Sequence, residues 1–269
     1  MIKKCIFADE VSGNFDEAIK QCKDVGVDYI EVRGGIWGKN VTNSTNDDIK
    51  RMKDVLAEYD MKIGIIGSPF GKCSFEKEEY ESHIKMFGRM VELAHIFETD
   101  LIRMFAFWVP KEVKNIPRHE LNIGDYLNEI AQRLKPVVRI AESEGVIMAL
   151  ETEDSTLVGN CAEAKAVIDA VGSDAMKVCW DVNNAQQVKE NPYPEGYSYI
   201  KGLVRHIHVK PNAEKNIDTI GTSDVPYAKI LQILLDDGYD GYASIEHWGS
   251  PELMLKGVKE LDKVLQTLK

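Results

Sequence analysis

Val146-Ile147-Met148-Ala149-Leu150-Glu151, Met176-Lys177-Val178-Cys179-Trp180-Asp181, Val204-Arg205-His206-Ile207-His208 and Tyr242-Ala243-Ser244-Ile245-Glu246 are four short, largely apolar runs. Each ends in a side chain able to bind a metal. The terminal residues Glu151, Asp181, His208 and Glu246 stand 30, 27 and 38 residues apart, close to the roughly 30 residues of one strand-plus-helix unit. A carboxylate, a carboxylate, an imidazole and a carboxylate thus recur at the same place in successive units. That pattern is expected of one divalent metal held at one end of a parallel barrel.

Working outward, the rest of the chain supplies the units that such a barrel needs. Ile2 to Ala8 reads as a first strand, and Asn14 precedes Phe15-Asp16-Glu17-Ala18-Ile19 as an N-cap with an acidic first turn. Tyr29 to Arg33, Met61 to Ile66 and Leu101 to Phe105 read as strands 2, 3 and 4. Between and after them, Ile84, Phe87, Val91 and Ala94, and then Leu127, Ile130, Leu134, Val137 and Ala141, recur at helical spacing. Pro136 predicts a kink in the second of these helices, and Gly145 closes it as a left-handed cap would. Further helices are expected near Ala162 to Val171 and Tyr227 to Asp237, with a last one carrying Met254, Val258, Leu261, Leu265 and Leu268. Eight strand–helix alternations in 269 residues match the roughly 250 residues of a (β/α)8 TIM barrel. The expected architecture is α/β, with residues 1–269 forming a single (β/α)8 TIM barrel domain. A doubly wound sheet is the rival, but no G-x-G-x-x-G turn follows the first strand.

Composition narrows the function classes. With 33 Lys and Arg against 44 Asp and Glu, the net charge is −11, which disfavours a nucleic-acid partner held through phosphate attraction. The cysteines Cys5, Cys22, Cys73, Cys161 and Cys179 form no C-x-x-C pair and read as reduced, packed thiols. The N-terminal residues turn acidic before any signal-like apolar region develops, and no run approaches the ~18 apolar residues of a membrane span. A cytoplasmic protein with no membrane partner is expected, and a homo-oligomer is left open.

In barrels of this kind the C-terminal strand ends face the active site, and all four candidate ligands fall there. Strand alternation pairs Glu151 with Ala149, Asp181 with Cys179, His208 with His206 and Glu246 with Ser244. Three oxygens and one nitrogen suit one divalent ion such as manganese, magnesium, cobalt or zinc. Glu153 shares the parity of Glu151, and Lys210 that of His208, so both are candidates for substrate contact. Arg33 and Arg103, near the ends of strands 2 and 4, have the guanidinium fork that binds a phosphate or carboxylate. Trp37, Phe70, Phe107, Trp108 and Trp248 follow strand ends, where an aromatic face can stack on a sugar. His247 should point away from the metal, and His206 is read as a supporting or core residue.

The segments Leu150-Glu151-Thr152-Glu153, Trp180-Asp181-Val182-Asn183-Asn184, His206-Ile207-His208-Val209-Lys210 and Ser244-Ile245-Glu246-His247 resemble the xylose isomerase-like TIM barrel superfamily of sugar phosphate isomerases and epimerases. The resemblance implies a divalent metal on Glu151, Asp181, His208 and Glu246, a small carbohydrate substrate, and proton exchange by Glu151 and Glu246. It also implies that Asn184 touches substrate. The chain departs from the ketose epimerases of that group, which carry a Glu six residues after the first ligand and an Arg six after the His. Leu157 and Glu214 occupy those positions.

The expected function is a metal-dependent isomerase or epimerase of a small sugar, ketose or sugar phosphate acting through an enediolate. The alternative is a metal-dependent lyase or dehydratase on a keto-sugar or inosose. A noncatalytic metal-binding barrel is a weaker expectation, as is an endonuclease IV-like nuclease, which needs further histidines at strand ends. Here His83 and His95 fall within the third helix and His119 just before the fourth.

Overall fold

The computed structural model describes residues 1–210, 225–246 and 249–269. Eight strands close in sequence order into a parallel barrel with intervening helices. The strands are β1 (Lys3–Phe7), β2 (Tyr29–Val32), β3 (Lys62–Ile66), β4 (Leu101–Met104), β5 (Ile147–Glu151), β6 (Met176–Asp181), β7 (Val204–Val209) and β8 (Tyr242–Ile245). The helices are α1 (Phe15–Asp24), α2 (Asn46–Glu58), α3 (Lys77–Ile96), α4 (Leu127–Glu144), α5 (Cys161–Val171), α6 (Val182–Gln187), α7 (Tyr197–Ile200), α8 (Tyr227–Asp236) and α9 (Pro251–Thr267). Two compact units make up the chain: Met1–Gly67 with Ile96–Thr99 and His206–Lys269, and Ser68–His95 with Asp100–Arg205.

In the first unit β1 pairs with β2 and β8, β2 with β3, and β7 with β8, all in parallel. The β2–β3 register shifts between Ile30, opposite Ile63, and Glu31, opposite Ile65. Gly64 is the residue passed over. An added Cβ there would lie 2.7 Å from the Tyr242 ring, so the absence of a side chain lets β3 pass close to that ring. Helix caps follow the local chemistry. Asn14 accepts from the Asp16 amide at 3.1 Å, as expected for α1. Thr45 and Asp48 form a reciprocal capping box at α2, worth about 1 kcal/mol.

In the second unit β5 pairs with β4 and β6. The stripe expected on α4 is buried at Ile130, Leu134, Val137 and Ala141, with Leu127 only half-buried. The α4 span runs unbroken through Pro136. Gly145 ends the helix at φ 68°, in the left-handed region that favours glycine. The connection after β6 is richer than expected: Asp181 caps the short α6, and α7 follows a turn over Pro192–Gly196. Gly71, after β3, has φ 87°, and a Cβ there would lie 1.9 Å from the Phe105 carbonyl oxygen.

Candidate functional site

Glu151 ends β5 and Asp181 ends β6. His208 is the penultimate residue of β7, and Glu246 follows β8. All four are buried; in the first unit His208 Nδ1 lies 3.2 Å from Glu246 Oε2, and in the second Glu151 and Asp181 end the paired strands β5 and β6. The donor set is three carboxylates and one imidazole. Buried carboxylates and an imidazole are the donors that a divalent cation takes.

On the β5–β6 side, the Arg103 guanidinium lies 3.1 Å from Glu151 Oε2, with both side chains almost wholly buried. The Phe105 ring, 5.0 Å away, covers the guanidinium. Thr152 braces the next strand: its hydroxyl donates to the Asp181 carbonyl and accepts from the Asp181 amide, each at 3.0 Å. Asp181 Oδ1 accepts from the Asn184 amide at 3.0 Å, and Asn184 Nδ2 donates to the Thr152 carbonyl at 3.0 Å. Asn184 therefore helps hold the loop that positions Asp181. Glu153 turns to Lys72, 3.0 Å away, and to the Ser155 hydroxyl at 2.7 Å. Burial pushes the Glu153 carboxyl up, but Lys72, Ser155 and Asp154 together outweigh it and the group lies below its ordinary range. Lys72 also stands 4.3 Å from the Phe105 ring and 5.7 Å from the Trp108 ring. Leu157, at the departure from the epimerase pattern, is buried and its amide donates to the Phe107 carbonyl at 2.9 Å.

On the β7–β8–β1–β2 side, three groups lie beside the Glu246 carboxylate. Arg33 lies 3.3 Å from its Oε1, while Lys210 Nζ and His208 Nδ1 each lie 3.2 Å from its Oε2. Arg33 also grips Asp9 at 2.9 Å and Glu10 at 2.8 Å and covers the Phe7 ring at 4.5 Å. Burial works against the Arg33 charge, but Asp9, Glu246 and Glu10 together raise its pKa above the ordinary value. Lys210 is almost completely buried, its amide donating to the Tyr227 hydroxyl at 2.8 Å.

Glu31, which strand reading passed over, is fully buried with its Oε2 2.8 Å from His206 Nε2 and 3.4 Å from His208 Nε2. Burial pushes its carboxyl up, but His206 and His208 outweigh that and hold it well below the usual carboxylate range. Its only signal in the sequence is parity: Glu31 stands two residues before Arg33 in a strand that faces the same mouth. Asp9, Glu10, Lys72 and Thr152 carried no such signal. Among the aromatics, Phe70 and Phe107 are fully buried packing residues and Trp37 packs edge-on against Phe15. Glu214, His247 and Trp248 lie outside the described residues.

The closed parallel barrel and the family profile agree. A profile of the xylose isomerase-like TIM barrel family matches residues 19–267. The chain belongs to that family. Among solved structures, it is similar to a xylose isomerase-like TIM barrel protein from Mycobacterium smegmatis in complex with magnesium, at 18% identity, covering 98% of this chain and 95% of that one with a TM-score of 0.75. It is also similar to a D-psicose 3-epimerase from Clostridium cellulolyticum H10 with D-tagatose, at 15% identity over 100% of both chains with a TM-score of 0.77. A third is the probable 3-DHS dehydratase AsbF from Bacillus anthracis, at 17% identity, covering 97% of this chain and 99% of that one with a TM-score of 0.77. Identities this low carry the shared fold. Among the described residues, no helix is long and apolar enough to cross a membrane.

Proposed function

We propose that residues 1–269 form one barrel domain and that the protein is a divalent-metal-dependent isomerase or epimerase of a small sugar, ketose or sugar phosphate. The observation that carries this is that Glu151, Asp181, His208 and Glu246 are four buried groups at the C-terminal ends of β5 to β8, with His208 Nδ1 3.2 Å from Glu246 Oε2. Membership of the family and similarity to structures that include a magnesium complex and a sugar epimerase support the reading. Manganese, cobalt and zinc suit the same donor set. A bound divalent ion would supply Lewis-acid stabilisation of the charge that develops on substrate oxygens as a neighbouring proton leaves.

The chain's own groups would do the rest. Glu246 and Glu151 are the proposed proton carriers, one removing and the other delivering a proton at carbon for epimerisation, or one alone shuttling it for isomerisation. Arg33 and Lys210 orient Glu246, and Arg103 orients Glu151. These ion pairs favour a holding role for Arg33 and Arg103 over capture of a substrate anion. Lys210 and Trp108 are the proposed substrate contacts, with Asn184 and Glu153 shaping the loop after β5. A second reading, a lyase that expels a β-hydroxyl, is favoured by the Lys210 ammonium 3.2 Å from Glu246, where it stands ready to protonate a leaving group. The similarity to a probable dehydratase adds support.

The test is a screen of ketoses, inososes and their phosphates in deuterated water with added manganese. Deuterium incorporation without loss of mass supports the isomerase, and loss of water supports the lyase. Neither outcome on any compound, with metal bound, would count against both.

A further inference from the structure

Resting on the proposed metal centre, we infer that Glu31 is a positioning residue for it: with His206, it fixes the His208 ring so that Nδ1 faces the metal and Nε2 carries the proton. The ring's two nitrogens have different surroundings. Nδ1 lies 3.2 Å from Glu246 Oε2, among the candidate ligand atoms, whereas Nε2 lies 3.4 Å from Glu31 Oε2 on the opposite edge. A carboxylate at Nε2 accepts a hydrogen bond from the N–H there and leaves the Nδ1 lone pair to the metal. This is how a partner behind a ligating imidazole selects its tautomer and raises its basicity.

Glu31 is in turn held in place. Its Oε2 also meets His206 Nε2 at 2.8 Å, and His206 Nδ1 faces the Tyr242 carbonyl at 3.2 Å. That carbonyl also accepts from the Tyr239 hydroxyl at 2.7 Å. The two imidazoles meet edge-on at 4.8 Å between centroids, and Phe7 closes over His208 at 5.2 Å. The register shift between Ile30 and Glu31 lies directly at the carboxylate, beside Gly64 and the Tyr242 ring. Irregularities of this kind re-aim a side chain next to a site. Here β2 delivers a carboxylate to the back of a ligand borne by β7. Glu31 need not touch substrate to matter.

The experiment compares the wild-type protein with Glu31→Gln and Glu31→Asp in titrations with magnesium alone and zinc alone, followed by calorimetry, with no substrate present. Thermal melts and circular dichroism verify the fold. Glu31→Gln is expected to bind each ion roughly 10- to 100-fold more weakly, and Glu31→Asp, which keeps a carboxylate, to recover part of the loss. Nitrogen-15 spectra of the histidines report the tautomer. Zinc-loaded wild type should show His208 ligated through Nδ1 with a protonated Nε2, and folded Glu31→Gln should lose that preference. Equal affinities and an unchanged His208 tautomer in folded Glu31→Gln would overturn the role of Glu31 while leaving the metal centre standing. Ligation through Nε2 in the wild type would overturn it even if the variants fail to fold. Wild type that binds neither ion would instead overturn the metal centre, and this inference with it.

Discussion

Arg103→Met removes the cation from a pair whose members are 5% and 2% exposed and 3.1 Å apart. At that separation the attraction is about 5 kcal/mol for an effective dielectric of ~20. Most of it offsets the cost of taking both charges out of water. What the variant leaves is Glu151 deprived of that cation in a dry site, a change that typically costs about 3–5 kcal/mol. For a chain of this size, with a melting shift of about 2–4 °C per kcal/mol, Arg103→Met should melt about 10 °C lower in the presence of a chelator. Methionine fills much of the volume, so little of the loss is a cavity term. Neutralising the partner tests the cause: Arg103→Met/Glu151→Gln should be more stable than Arg103→Met alone, a coupling visible in a double-mutant cycle. Added manganese should raise the melting point of Arg103→Met more than that of the wild type, because a cation again faces Glu151. Differential scanning fluorimetry with and without chelator reads all of this. An Arg103→Met protein as stable as wild type, or a double variant less stable than the single, would refute the reasoning.

Three further outcomes are expected. Glu246→Gln should lower turnover on any substrate found by about 10²–10⁴-fold while equilibrium dialysis still detects bound metal, and undiminished solvent exchange would remove Glu246 from the proton path. Gly71→Ala should destabilise the fold by about 2–5 kcal/mol, from the left-handed backbone and the collision with the Phe105 carbonyl, and a denaturation midpoint unchanged from wild type would contradict the tight approach described. The Asp48 carboxyl is pulled down to about 2 by the Lys39 ammonium and by donors from Thr45; because its folded-state pKa is depressed, the stabilisation is fully present above about 3.8 and lost as pH falls through about 2. Asp48→Asn should flatten that part of the acid unfolding curve, and a curve superimposable on wild type would show that the capping box is electrostatically silent.

Strand order and the strand-end positions of the candidate ligands were legible because they rest on local chemistry. An apolar run that stops at Glu151 or Asp181 places that side chain at a strand end whatever its neighbours are. The caps at Asn14 and Gly145 were likewise readable from a few adjacent residues. The roles of the cations were not. Arg33 reads as an anion clamp in isolation, but the fold sets Asp9, Glu10 and Glu246 around it. Arg103 is matched to Glu151 because β4 and β5 pair with these two residues on neighbouring strands. Glu153 looked free to enter the site, yet the chain beyond β5 carries it to Lys72, 81 residues away in sequence.

Periodicity, composition and the spacing of four polar strand ends were enough, without coordinates, to determine an eight-unit parallel barrel and to nominate candidate ligands, since each of these depends on short-range side-chain alternation. Only the tertiary structure decided what stands behind those candidates. Glu31 meets His206 across 175 positions of chain, and that meeting depends on a closed barrel, a one-residue register shift and a glycine that lets a tyrosine ring pass. Pairing register is a property of two strands together, so no single stretch of sequence carries it.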